Sequence, residues 1–173
     1  FNEDYLKEFI KSKANEPYNI RKATKDLTFL ESLYKDSGFV KSRVYNLRGP
    51  KQQDGALSFY IAEGVVEDIV LTGNVRTKDY VILREMDLRP GDVVHSNGVE
   101  ANLRKIYNLK YFEAVEPEIY PGEKAHHYVV KLNIKERETQ GSFQFGGGYS
   151  PNAGFNIFSD IYWDNLLGMG KMV

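Results

Sequence analysis

Val66-Glu67-Asp68-Ile69-Val70-Leu71-Thr72-Gly73-Asn74 opens the stretch on which the fold is read. The β-branched and aliphatic run from Val66 to Thr72 predicts a strand, and Gly73-Asn74 predicts the turn that ends it. Thr77-Lys78-Asp79 then precedes Val81, Ile82, Leu83 and Met86, apolar positions at helical spacing that stop before Pro90-Gly91. Ser96 or Asn97 is placed to cap a second helix, in which Val99, Leu103, Ile106 and Tyr107 recur at i, i+4, i+7 and i+8. Pro117 and Pro121-Gly122 bracket a short strand. Val130, Leu132 and Ile134 then alternate with Lys131, Asn133 and Lys135, the period-2 pattern of a strand with one buried face. The order is strand, helix, helix, strand, strand. Neither the helices nor the sheet can bury an apolar side alone, so two helices are expected to cover one face of a three-stranded mixed sheet, an α+β fold.

The same pattern occurs earlier in the chain. Pro17 falls on Pro90, 73 positions on, and at that offset Ile10 falls on Leu83, Leu30 on Leu103, Leu33 on Ile106, Tyr34 on Tyr107 and Phe39 on Phe112. Leu57, Phe59, Ile61 and Glu63 likewise fall on Val130, Leu132, Ile134 and Glu136. A gap-free register over this length reads as two copies of one module. In the first copy, helices are expected over Asp4 to Ile10 and Ile20 to Tyr34, and strands near Arg43 to Leu47 and Leu57 to Ile61. The counterpart of 66–72 would fall before residue 1, so this copy is expected to lack its first strand. The modules are assigned to residues 1–64 and 65–138. The short connector Ala62-Glu63-Gly64-Val65 is expected to permit a limited range of hinge angles.

After Glu138 the character changes. Ser142-Phe143-Gln144-Phe145-Gly146-Gly147-Gly148-Tyr149 alternates polar or glycine residues with aromatics, Ser150-Pro151-Asn152-Ala153-Gly154 reads as a turn, and Phe155 to Trp163 is a second aromatic strand. Strands of this length with outward apolar and inward polar positions suit a transmembrane β-barrel, so residues 139–173 are read as its first strands, a hairpin stub.

Composition narrows the function. The chain has 173 residues, 42% hydrophobic and 27% charged, a globular profile. With 23 basic against 24 acidic residues, the net charge of -1 supplies no field for a polyanion, so nucleic acid is not an expected partner. Cysteine is absent, which removes disulfides, thiolate metal sites and cysteine catalysis. No apolar run reaches the roughly 18 residues of a membrane helix. Phe1 at the start, with no leader, reads as an excised fragment.

Other motifs are weaker. His126-His127, with Glu123 nearby, reads as a surface pair, because adjacent residues on a strand point to opposite faces. Gly146-Gly147-Gly148 is followed by no lysine and no helix start, so it is not a phosphate loop. Arg104, Lys105 and Lys110 read as a solvated helix face, and Asp79 as a cap or first-turn acid. No nucleophile is assembled with a base, so neither an enzyme nor a cofactor is expected.

The paired modules resemble polypeptide-transport-associated (POTRA) domains. Lys135-Glu136-Arg137-Glu138-Thr139-Gln140-Gly141-Ser142-Phe143-Gln144-Phe145-Gly146-Gly147-Gly148-Tyr149-Ser150 is similar to the passage from the last such module into the first barrel strand in the BamA family of outer-membrane protein assembly factors. Asp164-Asn165-Leu166-Leu167-Gly168-Met169-Gly170 resembles that family's turn between the second and third barrel strands. Val70-Leu71-Thr72-Gly73-Asn74, Arg84-Glu85-Met86 and Asn108-Leu109-Lys110-Tyr111-Phe112 follow the pattern of its last module. The resemblance implies periplasmic modules below an outer-membrane barrel, binding unfolded outer-membrane proteins and the accessory lipoproteins of an assembly complex. The alternative is a related translocator of the two-partner-secretion or autotransporter-assembly type.

Inserting a strand into a sheet needs no covalent chemistry, because an edge strand offers unpaired N–H and C=O groups to any extended segment. The candidate edges are Arg43, Val44, Tyr45, Asn46 and Leu47 in the first copy and Glu116, Glu118, Ile119 and Tyr120 in the second; Pro50, Pro117 and Pro121 could equally guard them. The loop Arg89, Pro90, Gly91 and Asp92 is the candidate partner loop. Phe143, Phe145, Gly146, Gly147, Gly148 and Tyr149 form the strand that the resemblance makes a lateral gate, and the glycines serve either a weak seam or barrel curvature.

Overall fold

Asn19 starts the longest helix by accepting the N–H groups of Arg21 and Lys22 on its side-chain oxygen, which satisfies two of the donors a helix start leaves open. In this computed structural model, which describes residues 1–13, 15–48, 57–138 and 141–171, that helix is α2 (Ile20–Asp36), preceded by α1 (Glu3–Phe9). There follow β1 (Arg43–Arg48), β2 (Ser58–Ala62), β3 (Val65–Thr72), α3 (Asp79–Leu83), α4 (Ser96–Asn108), β4 (Phe112–Pro121), β5 (His127–Glu136), β6 (Gly141–Ser150) and β7 (Gly154–Trp163). The order strand, helix, helix, strand, strand is thus seen complete from β3 to β5, and the mixed α+β class holds. Pro50, Thr139 and Gln140 lie outside the described residues.

The chain forms two compact units. The first comprises residues 1–68, 90–99 and 120–129. Ala23, Leu30 and Tyr34 on one face of α2 are buried, as are Val44 of β1 and Ala62 of β2. Asp26 is also buried, and its carboxylate accepts Lys11 N–H, Ser12 N–H and the Ser12 hydroxyl, tying the segment after α1 to α2. β1 and β2 pair antiparallel with Val44 opposite Ile61 and Tyr45 opposite Tyr60, and the register slips between Asn46 and Arg48.

The connector lies in the same unit. Val66 donates to the Asp92 carbonyl and accepts from Gly91 N–H, while Val94 N–H reaches Gly64 O. His95 Nδ1 accepts Asn97 N–H at 3.2 Å, so the cap of α4 is His95 rather than Ser96 or Asn97; Ser96 is already the first helical residue. Because Nδ1 accepts, the ring proton belongs on Nε2, which donates to Ser37 O at 2.9 Å. Ser96 N–H meets Gly38 O, and Phe39 packs edge-on against the imidazole. The joint between the two sequence copies is therefore clasped by backbone bonds and one histidine.

The second unit comprises residues 69–89, 100–119 and 130–173. The three-stranded sheet runs β3-β5-β4. β3 and β5 run in the same direction, with Val65 N–H on His126 O at one end and the Thr72 hydroxyl on Asn133 Oδ1 at the other. β4 turns back into β5 through Gly122 N–H on His127 O, so the sheet is mixed. α3 is shorter than its apolar pattern suggests. Glu85 N–H bonds Ile82 O and Met86 N–H bonds Leu83 O, a tight i to i+3 turn that ends the helix while Met86 is still buried, 2% exposed; Ile82, Ile106, Phe112 and Leu132 are buried in the same unit.

Candidate functional site: sheet edges and terminal hairpin

At β1 the structure brings an exposed Arg43, a buried Val44 and a half-exposed Tyr45 into a strand whose only strand neighbour among the described residues is β2. The side chains of Asn46 and Leu47 lie outside the described set. The Tyr45 ring lies 6.4 Å from Tyr60 and 5.7 Å from His126, so the outward face of β1 and β2 carries an aromatic cluster beside the edge. His126 is a turn residue with positive φ, and among the described residues no group of three potential metal ligands forms around it.

The edge of β4 is built differently. The Lys131–Glu118 ion pair shares the register set by Gly122 and His127, whereas Lys135–Glu113 is displaced by one, so β4 carries one extra residue between Glu113 and Glu118. There the Tyr107 hydroxyl accepts Val115 N–H at 2.9 Å and donates to Val115 O at 3.3 Å, occupying backbone groups that face away from β5. Counting back from Gly122, the other outward positions are Pro121, Ile119 and Pro117, and two of these three have no N–H. Glu116 and Glu118 are exposed, but of the predicted residues Ile119 alone offers an outward amide on this stretch. A bulge, a hydroxyl cap and two prolines blunt this edge.

Arg89, Pro90, Gly91 and Asp92 are exposed. Their loop is not a free ribbon, because Gly91 N–H and Asp92 O pair with Val66.

β6 and β7 pair over their full length, from Gly141 opposite Trp163 to Ser150 opposite Gly154. Alternation sorts the side chains. Phe143, Phe145 and Tyr149 share a face with Phe155, Ile157, Ile161 and Trp163, while Ser142, Gln144, Asn156 and Asp160 share the other with Phe158 and Tyr162. The first face is mainly apolar, with Ser159 opposite Phe145 as its polar member, and the second is mixed, a division of the kind found between the lipid and lumen sides of barrel strands. The three glycines are not equivalent: a Cβ on Gly146 would lie 2.3 Å from the Phe158 ring opposite it, whereas one on Gly148 would meet nothing within 4 Å.

A cluster that sequence reasoning missed holds the turn after β7. Asn165 is 1% exposed and donates from Nδ2 to the Thr77 hydroxyl at 2.7 Å while accepting Gly170 N–H at 2.7 Å. Lys78 N–H donates to Gly168 O at 3.0 Å. Thr77 N–H and Arg76 N–H in turn fork onto the two oxygens of Glu136 at 2.7 and 2.9 Å. Burial works to raise the Glu136 carboxyl, but hydrogen bonds from Thr77 and Arg76 overcome it and hold the group below its ordinary 4.5. A lowered pKa stabilises the folded state above the unfolded value, and that contribution is lost as pH falls through the folded pKa. Glu136→Gln is thus expected to lower the melting temperature at pH 7, with the gap to the parent narrowing at pH 3 to 4; thermal unfolding at both pH values checks it.

Residues 1–64 and 65–137 each match the model of the family POTRA, described as a surface antigen variable number repeat. The chain belongs to the POTRA family. A Treponema pallidum (strain Nichols) protein named as an outer membrane protein assembly factor is 31% identical over 154 residues, 83% of this chain and 18% of its own length. The chain spans 13 to 18% of the first curated relatives it matches. The N-terminal domain of Omp85 from Thermosynechococcus elongatus is similar at TM-score 0.68 and 30% identity, over 80% of this chain and 62% of that one. Two further structures extend over the hairpin as well as both POTRA modules. BamA from Haemophilus ducreyi lacking POTRA domains 1–3 covers 98% of this chain and 33% of its own (TM-score 0.60, 22% identity). CdiB from Escherichia coli covers 99% and 32% (TM-score 0.70, 20% identity); at these identities the likeness is one of fold.

Proposed function

We propose that these POTRA modules, residues 1–64 and 65–138, stand in the periplasm beneath an outer-membrane β-barrel whose first strands are β6 and β7, and that β1 captures extended segments of unfolded outer-membrane proteins by β-augmentation. The observation that carries this reading is the contrast between the edges: β1 has a side without a strand partner among the described residues, and β4 is capped and proline-blocked. Main-chain pairing supplies sequence tolerance, and the Tyr45–Tyr60 cluster adds contact area for the aromatic side chains that barrel strands carry. The loop of Arg89, Pro90, Gly91 and Asp92 is exposed and is the proposed contact for an accessory lipoprotein, with its backbone committed to Val66.

The test is photo-crosslinking in cells from position 45 of the full-length protein. Adducts with many different barrel precursors, far fewer from position 119, are expected. A single exported protein as the adduct would favour a dedicated translocator and overturn the assembly reading.

The glycine seam of β6 is part of the same proposal. Gly148→Val adds β propensity without a clash and is expected to strengthen strand pairing by up to about 1 kcal/mol, slowing client insertion by the full-length protein. Amide exchange along β6, with insertion kinetics in proteoliposomes, reads both effects. Gly146→Val cannot serve, because it displaces Phe158.

A further inference from the structure

α2 presents a second surface that the edge-pairing activity does not use. Along its outward side Ile20 is 66% exposed and Phe29 40%, and the Phe29 ring stacks at 5.8 Å on Phe9, itself 41% exposed. Between them lie Thr24 and Thr28, whose hydroxyls are turned back onto the helix: Thr24 Oγ1 donates to Ile20 O at 2.9 Å and Thr28 Oγ1 to Thr24 O at 3.0 Å. Each threonine therefore spends its hydroxyl on its own helix and leaves a methyl for the surface. The result is an open groove with an apolar floor about three helical turns long, roughly 18 Å from Ile20 to Ser32.

The rim is basic. Lys11, Arg21 and Lys25 line the groove, and none of them has an ion-pair partner among the described residues. Their neighbours Lys7 and Lys22 are instead paired with Glu3 and Glu16. The one carboxylate in the groove wall, Asp26, is buried and occupied by Lys11 N–H and Ser12.

We infer that this groove docks an amphipathic helix with acidic flanks, supplied by a partner protein. The floor is one side of an intact helix, with backbone groups and hydroxyls already bonded, so an extended peptide would find no main-chain partners there. An occupant that satisfies its own backbone would lose nothing. Three cations around an apolar stripe complement a helix whose apolar face is bordered by Asp or Glu.

The experiment uses the full-length protein in nanodiscs and two fluorescent helical peptides of four turns with the same Leu/Phe stripe, one flanked by Glu and one by Lys. Anisotropy is expected to show the Glu-flanked peptide binding at least tenfold tighter at low salt, with the preference shrinking as salt rises. Thr28→Glu, or Thr24→Glu if the first perturbs melting, is expected to weaken that binding at least tenfold. Lys11→Glu with Lys25→Glu is expected to reverse the preference. Equal binding of the two peptides, or indifference to the threonine variants, would overturn the proposal. Phosphatidylglycerol vesicles displacing the peptide in a Lys11- and Lys25-dependent way would reassign the groove to a membrane surface. A Thr28→Cys variant that resists maleimide in the free protein would show the groove filled by the protein's own chain.

Discussion

Gly168→Val is expected to release the turn after β7 from the second POTRA module. Gly168 has φ +73°, and a Cβ there would lie 1.9 Å from the Arg76 carbonyl oxygen, a backbone atom that cannot rotate aside. A valine must leave the left-handed region or push the turn away from residues 76–78, and either breaks the Lys78 to Gly168 bond and strips Asn165 from Thr77. Left-handed strain of about 1–3 kcal/mol and a similar cost for buried polar groups left unpaired put the effect near 3 kcal/mol. The release is local. Exchange of the Lys78 amide should rise while that of β5 stays slow, and unchanged protection at Lys78 would show that the turn does not depend on this approach.

Leu132→Ala should act on the module itself. Leu132 is 1% exposed at the centre of β5, the middle strand of the three. Buried leucine truncations cost about 2–5 kcal/mol, the spread reflecting how far the site collapses, and the middle of a sheet collapses poorly. Against a domain stability of about 5–15 kcal/mol that is a large fraction, so the denaturant midpoint should fall sharply with little change in slope. A shift worth under 1 kcal/mol would mean that Leu132 is not central to the core.

Much of this was legible in the residues. The order strand, helix, helix, strand, strand from β3 to β5 could be read because it follows a pattern set by burial, and burial is what periodicity records. The end of α3 was not legible: Met86 stays in helical phase although the backbone has already tightened into an i to i+3 turn. The cap of α4 was misplaced by one or two residues because serine and asparagine are the usual acceptors, whereas here the imidazole of His95 is aimed at Asn97 N–H from one side and at Ser37 O from the other. The guard on β4 was half visible in Pro117 and Pro121. The Tyr107 hydroxyl on Val115 was hidden, since helical spacing marks Tyr107 only as a core position. The groove on α2 could not be read at all, because Thr24 and Thr28 count as polar until the direction of their hydroxyls is known.

β1 is the proposed edge for client strands. Residue-resolved amide exchange on the full-length protein, with and without a peptide of about 12 residues from a barrel strand, tests it most directly. Pairing predicts slowed exchange at alternate amides of Arg43 to Arg48, with β4 unchanged, and loss of that protection in Tyr45→Pro. Protection gained along Glu116 to Tyr120 instead, or none in β1 at saturating peptide, would contradict it.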